Sequence, residues 1–178
     1  ARLSVDEQGN LLYSGTPGTG GFSDVKRGDW YAPYVAFAKR YGIANGYLDG
    51  TFRPEQPVSR AELVKLIASY FTVEGGTSPF PDVPAGHWAA EVVSFAAEEG
   101  WVSGYLDGTF RPDAPVSRAE AVKILNHALD RRAGERAAAL PFTDVEKGHW
   151  ACDEIREAAV SHTYRKSGEG ETWLTYER

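Results

Sequence analysis

The chain has 178 residues, of which 42% are hydrophobic, so it is long enough to bury one core of ordinary size. Its formal net charge of −6 argues against a nucleic acid or an anionic membrane as main partner, because either would require a basic face. The single cysteine excludes an intrachain disulfide and a zinc site of paired thiolates. The sequence contains no methionine, no secretory leader and no apolar stretch of the roughly 20 residues that span a membrane. We therefore expect a mature or excised piece of a longer protein, without membrane insertion.

Residues 1–21 are predicted to be a remnant of an upstream region that ends in a linker. A turn is expected near residues 8–10 between two strand-like pieces, and a flexible segment rich in glycine and threonine follows. Apolar residues then recur at intervals of three and four and stop at a glycine: Trp30, Tyr34, Phe37, Ala38, Tyr41 and Gly42. This spacing predicts an amphipathic helix that ends at Gly42.

The next segment, Gly46-Tyr-Leu-Asp-Gly-Thr-Phe-Arg-Pro54, predicts an ordered loop. Asp-Gly between alternating apolar residues favours a tight turn, and Pro54 prevents a helix from following directly. A second helix is predicted to start at Ser59, and one of its faces is apolar: Leu63, Leu66, Ile67, Tyr70 and Phe71. The segment is therefore predicted to run helix, ordered loop, helix.

This segment is repeated after 58 residues. The matching starts are Phe22-Ser-Asp-Val and Phe80-Pro-Asp-Val, the loops are residues 46–54 and 104–112, and the helix starts are Ser59-Arg-Ala-Glu and Ser117-Arg-Ala-Glu. A fixed period of this length indicates one supersecondary unit stacked against its own copies. We divide the module at residues 22–178 into repeat one (22–79), repeat two (80–141) and a third copy (142–178). Function is expected at the junctions of the copies.

The third copy is predicted to be partial. It starts at Phe142 after a connector, residues 130–140, which is predicted to extend the preceding helix. Ile155 and Ala158 keep the character of the side that faces neighbouring helices. Glu154 and Glu157 replace apolar residues on the other side, which is expected to be wet because burying a carboxylate is costly. Neither the loop motif nor the Ser-Arg-Ala-Glu motif follows, and the tail is expected to contain a Gly168-Glu-Gly170 turn and Trp173.

The helix-start motif contains a structural part and an arginine that needs a different explanation. Ser59 and Ser117 are predicted to cap the second helices in capping boxes with the glutamate three residues later, each cap contributing about 0.5–2 kcal/mol. Arg60 and Arg118 stand in the first turn, where the helix dipole disfavours a cation. One hypothesis is a receptor for a carboxylate or phosphate, made from the guanidinium and free helix amides. The other is an ion pair with a nearby aspartate, such as Asp49 or Asp107, that ties repeats together.

The aromatic residues divide into two groups. Trp30, Trp88 and Trp150 recur at one position and are predicted to be core anchors. Trp101, with Tyr47 or Tyr105 beside the loop, is a candidate for stacking on a sugar ring. The loops lack the further acidic positions of a calcium-binding hand, and no phosphate loop, serine elbow or paired-histidine motif is present. We therefore expect no metal, no cofactor and no catalytic activity.

The Phe-x-Asp-Val start with its tryptophan, the Gly-Tyr-x-Asp-Gly-Thr-Phe-x-Pro loop and the Ser-Arg-Ala-Glu variant of a Thr-Arg-Ala-Glu motif resemble the S-layer homology family. These are the surface-layer anchoring modules of bacteria, and the resemblance covers about residues 22 to 160. It implies an all-α fold of three helix-loop-helix repeats, the third truncated, in a pseudo-threefold arrangement around a central helical bundle. It also implies a secreted protein held non-covalently at the cell surface, in the cell wall or S-layer, through secondary cell-wall polysaccharides that often carry a pyruvate ketal.

The resemblance implies particular site residues. Arg60 and Arg118 would bind the ketal carboxylate, and the residues that would shape the grooves between repeats are Ser59, Ser117, Gly46, Asp49, Gly104 and Asp107. Because the third motif arginine is absent, at most two motif-bearing grooves are expected. Two alternatives stay open: recognition of peptidoglycan modified with a diamine, and a structural module that packs against another chain, with self-assembly through the rest of the full-length protein.

Overall fold

The computed structural model describes residues 18–131, 139–140, 142–167 and 170–176. Packing divides the chain into two compact units, one up to Pro57 and one from Val58 onward. This division falls inside the first sequence repeat, between its loop and its second helix. The predicted turn near residues 8–10 and most of the predicted linker lie outside the described residues.

The described residues contain five α-helices and a two-stranded antiparallel sheet. The elements are α1 (Ala32–Arg40), α2 (Arg60–Ala68), α3 (Ala90–Glu98), α4 (Arg118–Ala128), α5 (Cys152–Ala159), β1 (His162–Ser167) and β2 (Gly170–Tyr176). The chain is therefore mostly helical, as predicted, and repeats one and two each run helix, loop, helix. The arrangement around a threefold axis stays a prediction.

In the unit up to Pro57, the Phe-x-Asp-Val motif joins the helix to the loop. Phe22 and Val25 are buried against Ala32 and Val35 of α1. Between them, the carboxylate of Asp24 accepts hydrogen bonds from the amides of Phe52 and Arg53 at 2.8 and 2.7 Å. The first of these bonds is the main reason that the pKa of Asp24 lies below its ordinary value.

In the unit from Val58 onward, one core joins the second helix of repeat one to repeat two. Val64 of α2, Val93 of α3 and Ile124 of α4 are buried together, and α2 packs against both α3 and α4. Phe110 brings the loop of repeat two into this core. Asp82 accepts hydrogen bonds from the amides of Phe110 and Arg111 at 2.9 and 2.7 Å, which repeats the arrangement around Asp24.

The side of α5 that was predicted to be wet is covered. The side chain of Glu157 is only 1% exposed, because β1 and β2 form a hairpin whose Trp173 and His162 pack beside it. The Glu157 carboxylate accepts hydrogen bonds from Nε of Arg131 at 3.0 Å and from Nε1 of Trp173 at 2.9 Å. The prediction was wrong because these donors offset the desolvation cost of the carboxylate.

The opposite side of α5 differs from the prediction in the reverse sense, because it is less buried than expected. Ile155 is half-buried and Ala158 is exposed, although Val93 and Ala96 at the matching positions of α3 are fully buried. Helix α5 instead contacts α4 through Glu154, which accepts hydrogen bonds from Asn126. The packed face of the third copy is therefore rotated relative to that of the second.

One further expectation about local structure needs correction. Helix α4 does not continue through residue 130, because it ends at Ala128 and Asp130 adopts a left-handed conformation with φ of +51°. Residues 132–138 of the connector, and Gly168 with Glu169 of the expected tail turn, lie outside the described residues. In the hairpin, the pairing register shifts between Thr163 and Tyr164, which is typical of a β-bulge.

The three repeated tryptophans are not core anchors. Trp30, Trp88 and Trp150 are 81%, 53% and 60% exposed. The Nζ atom of Lys65 in α2 lies 5.2 Å from the ring centroid of Trp88, and Nζ of Lys123 in α4 lies 5.9 Å from that of Trp150. All three indole rings thus stand at the surface, those of Trp88 and Trp150 beside a lysine of the preceding repeat, while small residues such as Ala89 take the buried positions.

Candidate functional site

The loop of repeat two is held rigidly by its own side chains. Asp107 accepts hydrogen bonds from the amide and hydroxyl of Thr109 at 3.0 and 2.6 Å, and from the guanidinium of Arg111 at 2.8 Å. The Thr109 hydroxyl and Arg111 hold the pKa of Asp107 well below its usual range. The guanidinium of Arg111 also lies 4.0 Å from the ring centroid of Tyr105. This carboxylate therefore stabilises the loop, and Asp49 does the same in repeat one.

Arg60 joins repeat one to this loop. The residue is only 6% exposed. Its Nε donates a hydrogen bond to the carbonyl of Phe110 at 3.0 Å, and its NH1 donates to Oε1 of Glu120 at 3.2 Å. The guanidinium also lies 5.0 Å from the ring centroid of Tyr105. Arg60 thus ties repeats together through Glu120, not through the aspartates proposed from the sequence.

The first amides of α2 are also satisfied by repeat two. The amides of Arg60 and Ala61 donate to the carbonyls of Ala114 and Pro112, both at 3.0 Å. The next amide donates to Oγ of Ser59, which completes the predicted capping box. The free helix amides that were expected beside Arg60 are therefore absent, and the anion receptor cannot have that form at α2.

Glu120 is the centre of the contacts between the two repeats. Its Oε1 accepts from the hydroxyl of Tyr105 at 2.7 Å as well as from Arg60, while Oε2 accepts from the amide and hydroxyl of Ser117. Burial acts to raise the pKa of Glu120, but the hydrogen bonds from Tyr105 and Ser117 outweigh it, and the pKa is lowered. The carboxylate is ionised at neutral pH and fully occupied by partners.

These residues form one wall of a groove of about 200 Å³. The groove is lined by Arg60, Trp101, Val102, Ser103, Gly104, Tyr105, Glu120, Lys123, Ile124 and Trp150. Its volume is below the roughly 300–1,000 Å³ of pockets that enclose a drug-sized ligand. It is therefore suited to a small unit of a larger molecule.

Two residues of the groove offer free recognition groups. The indole of Trp150 is exposed, and the ammonium of Lys123 forms no hydrogen bond or ion pair with any residue in the described part of the chain. With Arg60, the groove contains two cations against the single carboxylate of Glu120. This small region is positive in a chain whose formal net charge is −6.

The candidates from the sequence occupy different places. Arg60, Gly104 and Trp101 line the groove, whereas Ser59 and Ser117 cap helices and Asp107 holds the loop. Gly46 and Asp49 belong to the unit up to Pro57. Arg118 is exposed, and no residue that the structure describes hydrogen-bonds or pairs with it. The two motif arginines therefore have unlike surroundings.

The aromatic candidates are less free than expected. Trp101 is 4% exposed and packs against Phe71 and Phe95, with ring centroids 4.7 and 5.2 Å away. Tyr105 uses its hydroxyl on Glu120 and its ring on arginines. Neither arrangement favours stacking of a sugar ring on these residues, whereas the indole of Trp150 is 60% exposed although the ring of His149 stacks with it at 5.5 Å between centroids.

Sequence reasoning missed Glu120, Lys123 and Trp150 as groove residues. A signal for two of them was present, since Lys65 and Lys123 stand 58 residues apart at matching helix positions, each preceding a repeated tryptophan. Within the described residues, no cluster of histidine, cysteine and carboxylate side chains is suited to hold a metal ion. No described helix is long and apolar enough to cross a membrane.

Comparison with known proteins identifies the class to which the repeats belong. The family model of the S-layer homology domain matches residues 21–64 and 79–122. Among similar proteins, the chain is 34% identical over 165 residues to "Cell surface glycoprotein 1" and 34% identical over 157 residues to "Cellulosome-anchoring protein", both of Acetivibrio thermocellus. It is 35% identical over 116 residues to "S-layer protein" of Bacillus licheniformis.

These alignments cover 86%, 84% and 60% of this chain, but only 7%, 35% and 13% of the three relatives. The chain thus corresponds to a small part of each relative. The two tandem matches span the first helix and the loop of each repeat and include both Ser-Arg-Ala-Glu motifs at the starts of the second helices. The chain belongs to the S-layer homology family.

Proposed function

We propose that this chain is a non-catalytic anchor that holds a bacterial surface protein at the cell wall. The support is twofold: the repeats are S-layer homology domains, and similar proteins carry the names cell surface glycoprotein, cellulosome-anchoring protein and S-layer protein. On this proposal the protein is secreted and resides at the cell surface, with its cargo supplied by other parts of a longer chain.

We propose that the ligand is a secondary cell-wall polysaccharide with an acidic group such as a pyruvate ketal. The observation that carries this proposal is the positive groove, in which Lys123 has no hydrogen-bond or ion-pair partner among the described residues. Its ammonium can approach a ligand carboxylate, while Trp150 stacks on the adjoining sugar face. Arg60 adds positive potential at the wall of the groove, and Gly104, which has no side chain, allows the loop backbone to lie close to the ligand.

The contacts of Arg60 change the role that we assign to it, from binding the ligand carboxylate to building the groove. Because its guanidinium already binds Phe110 and Glu120, Arg60 acts first as a residue that builds the groove. A direct bond to the ligand would use the nitrogen hydrogens that remain after these two bonds. Arg118 is exposed, and none of the described residues takes there the place that Phe110, Tyr105 and Glu120 take around Arg60.

The test is binding of the purified chain to isolated cell-wall sacculi. Aliquots of the sacculi are first treated to remove the pyruvate ketals alone, or to remove the attached polysaccharide completely. We expect either treatment to abolish sedimentation of the chain with the sacculi. Binding that survives both treatments would contradict a polysaccharide ligand and favour modified peptidoglycan.

A structural module is the second alternative, and its test is the size of the chain in solution. Sedimentation velocity over a range of concentrations distinguishes a monomer from a self-associating species. We expect a monomer that binds sacculi. A chain that associates with itself but does not bind sacculi would replace the anchoring proposal by a role in assembly.

A further inference from the structure

We infer that the described part of this chain forms one complete polymer-binding groove, the one between Arg60 and Trp150, and that Arg118 does not form a second. This inference rests on the proposed function and specifies the number of its binding sites. From the sequence, the two motif arginines predict two equivalent grooves. The contacts that these arginines form in the structure indicate one groove, at Arg60.

The groove takes its parts from three successive repeats. Repeat one gives Arg60, and repeat two gives both the loop with Tyr105 and the helix with Glu120 and Lys123. The third copy gives only Trp150. A partial third repeat is therefore sufficient to complete this groove, because the part it must supply precedes α5.

A groove at Arg118 would need the loop of the third repeat. The offset of 62 residues between Trp88 and Trp150 puts that loop near residues 166–174, where the sequence is Lys-Ser-Gly-Glu-Gly-Glu-Thr-Trp-Leu. This segment has no Gly-Tyr-x-Asp-Gly-Thr-Phe motif, and its described residues belong to β1 and β2. The hairpin therefore occupies the part of the chain that would form the loop.

The surroundings of Arg118 are those expected without such a loop. Arg60 has the Phe110 carbonyl, the Tyr105 ring and the Glu120 carboxylate, all from the following repeat. Arg118 has no equivalent of any of these among the described residues, and it is exposed. An exposed arginine without such contacts is not preorganised for a ligand. Its side chain must lose conformational freedom when the ligand binds, and this cost lowers the affinity.

The lysine and tryptophan pair occurs twice, and this provides an internal control. Lys65 lies beside Trp88 as Lys123 lies beside Trp150, at 5.2 and 5.9 Å from the ring centroids. The earlier pair would require a motif arginine from a repeat that precedes residue 22. Residues 1–21 contain no Ser-Arg-Ala-Glu sequence. In the 178-residue chain, Lys65 and Trp88 are therefore matched in local contacts, and residues 1–21 supply no motif arginine to them.

The experiment compares matched variants in the sacculus assay. Lys123→Glu and Trp150→Ala change the groove, while Lys65→Glu, Trp88→Ala and Arg118→Gln make equivalent changes at the other positions. We expect the first two to weaken binding at least tenfold and the other three to stay within about twofold of the parent chain, a tenfold change being about 1.4 kcal/mol. Circular dichroism of each variant verifies that it is folded.

The outcomes separate this inference from the proposed function. If Lys65→Glu or Arg118→Gln weakens binding as much as Lys123→Glu, more than one site operates and the inference is wrong, although anchoring stands. If no variant weakens binding that still depends on the pyruvate ketals, the polymer binds outside this groove. If the parent chain does not bind sacculi, the proposed function fails, and the single groove fails with it. If Lys123→Glu does not fold, Lys123→Gln replaces it against Lys65→Gln.

Discussion

The guanidinium of Arg60 donates to the carboxylate of Glu120 at 3.2 Å, so the arginine of one helix-start motif binds the capping glutamate of the next. The same glutamate closes the capping box on Ser117. Residues that look like independent local signals in each repeat are therefore coupled across the repeat boundary. This coupling leads to a difference in stability between the two motif arginines.

We predict that Arg60→Ala lowers the free energy of unfolding by about 3 kcal/mol, the lower end of the range for breaking a buried ion pair, because Glu120 stays partly exposed. Arg118→Ala should change it by no more than about 0.5 kcal/mol, as is usual for an exposed residue. Urea unfolding followed by tryptophan fluorescence measures both. Equal losses in the two variants would contradict the unlike surroundings of the arginines.

Gly104 and Gly108 allow two physical effects to be separated. Both have positive φ, +71° and +80°, and alanine in this conformation costs about 1–2 kcal/mol. A Cβ on Gly104 would also come within 2.5 Å of the Phe80 ring, whereas one on Gly108 would meet nothing within 4 Å. We predict that Gly104→Ala is more destabilising than Gly108→Ala in thermal unfolding. Equal losses would mean that the Phe80 ring moves away at little cost.

The Asp49 carboxylate predicts a loss of stability in acid. The hydrogen bond from the Thr51 hydroxyl, followed by that from Arg53, lowers the pKa of Asp49 from 3.8 to about 2. The folded chain therefore binds fewer protons than the unfolded chain in this window. Its stabilising contribution is complete above the ordinary pKa and is lost as the pH falls through about 2.

We accordingly predict that Asp49→Asn makes the unfolding free energy of the unit up to Pro57 depend less steeply on pH between 3.8 and about 2. Unfolding in urea across that window measures the slope, followed by the fluorescence of Trp30 in a background in which the other four tryptophans are replaced by phenylalanine. Glu55→Gln is the control, because Glu55 is exposed and has no hydrogen bond to any described residue. The prediction is contradicted if Asp49→Asn leaves the pH dependence of the unfolding free energy unchanged while Glu55→Gln alters it.

The buried Glu157 is predicted to fasten the hairpin to α5. Arg131 and Trp173 each donate a hydrogen bond to one oxygen of its carboxylate. In Glu157→Gln, an NH2 group replaces one of these oxygens, so one of the two donors would face another donor. We expect a loss of about 1–3 kcal/mol, the penalty of a buried polar group left unsatisfied. The Trp173 emission should shift to the red as the hairpin loosens. Glu146→Gln, at an exposed site before α5, should have neither effect.

Much of the fold could be predicted from the sequence because its signals are local. Helix spacing, glycine stops and the Ser-x-x-Glu caps depend on residues within one or two turns, and the helix starts at Arg60 and Arg118 agree with the predicted caps. The repeated motifs carried the resemblance to the family. The groove was only partly predictable, since Arg60 and Gly104 lie in motifs, whereas Lys123 and Trp150 become neighbours only when repeats pack.

The predictions were wrong where the surroundings of a residue are formed by residues that are distant in the sequence. Glu157 looked exposed because its donors are 26 and 16 residues away, and no local pattern indicated that the tail would fold back as a hairpin. The three tryptophans looked buried because their repetition resembles that of core residues. Their exposure follows from the packing of small residues such as Ala89 at the adjacent positions.

The sequence by itself determined the repeated unit, its helices and caps, and the family, because the two full copies carry the local motifs and the short-range backbone and side-chain preferences on which these depend. Only the tertiary structure decided which copies of a motif are equivalent. Arg60 and Arg118 share one local sequence, but the partners of an arginine in this fold come from the next repeat. Where that repeat supplies a loop, the guanidinium is buried in a groove; where a hairpin follows instead, it stays in water.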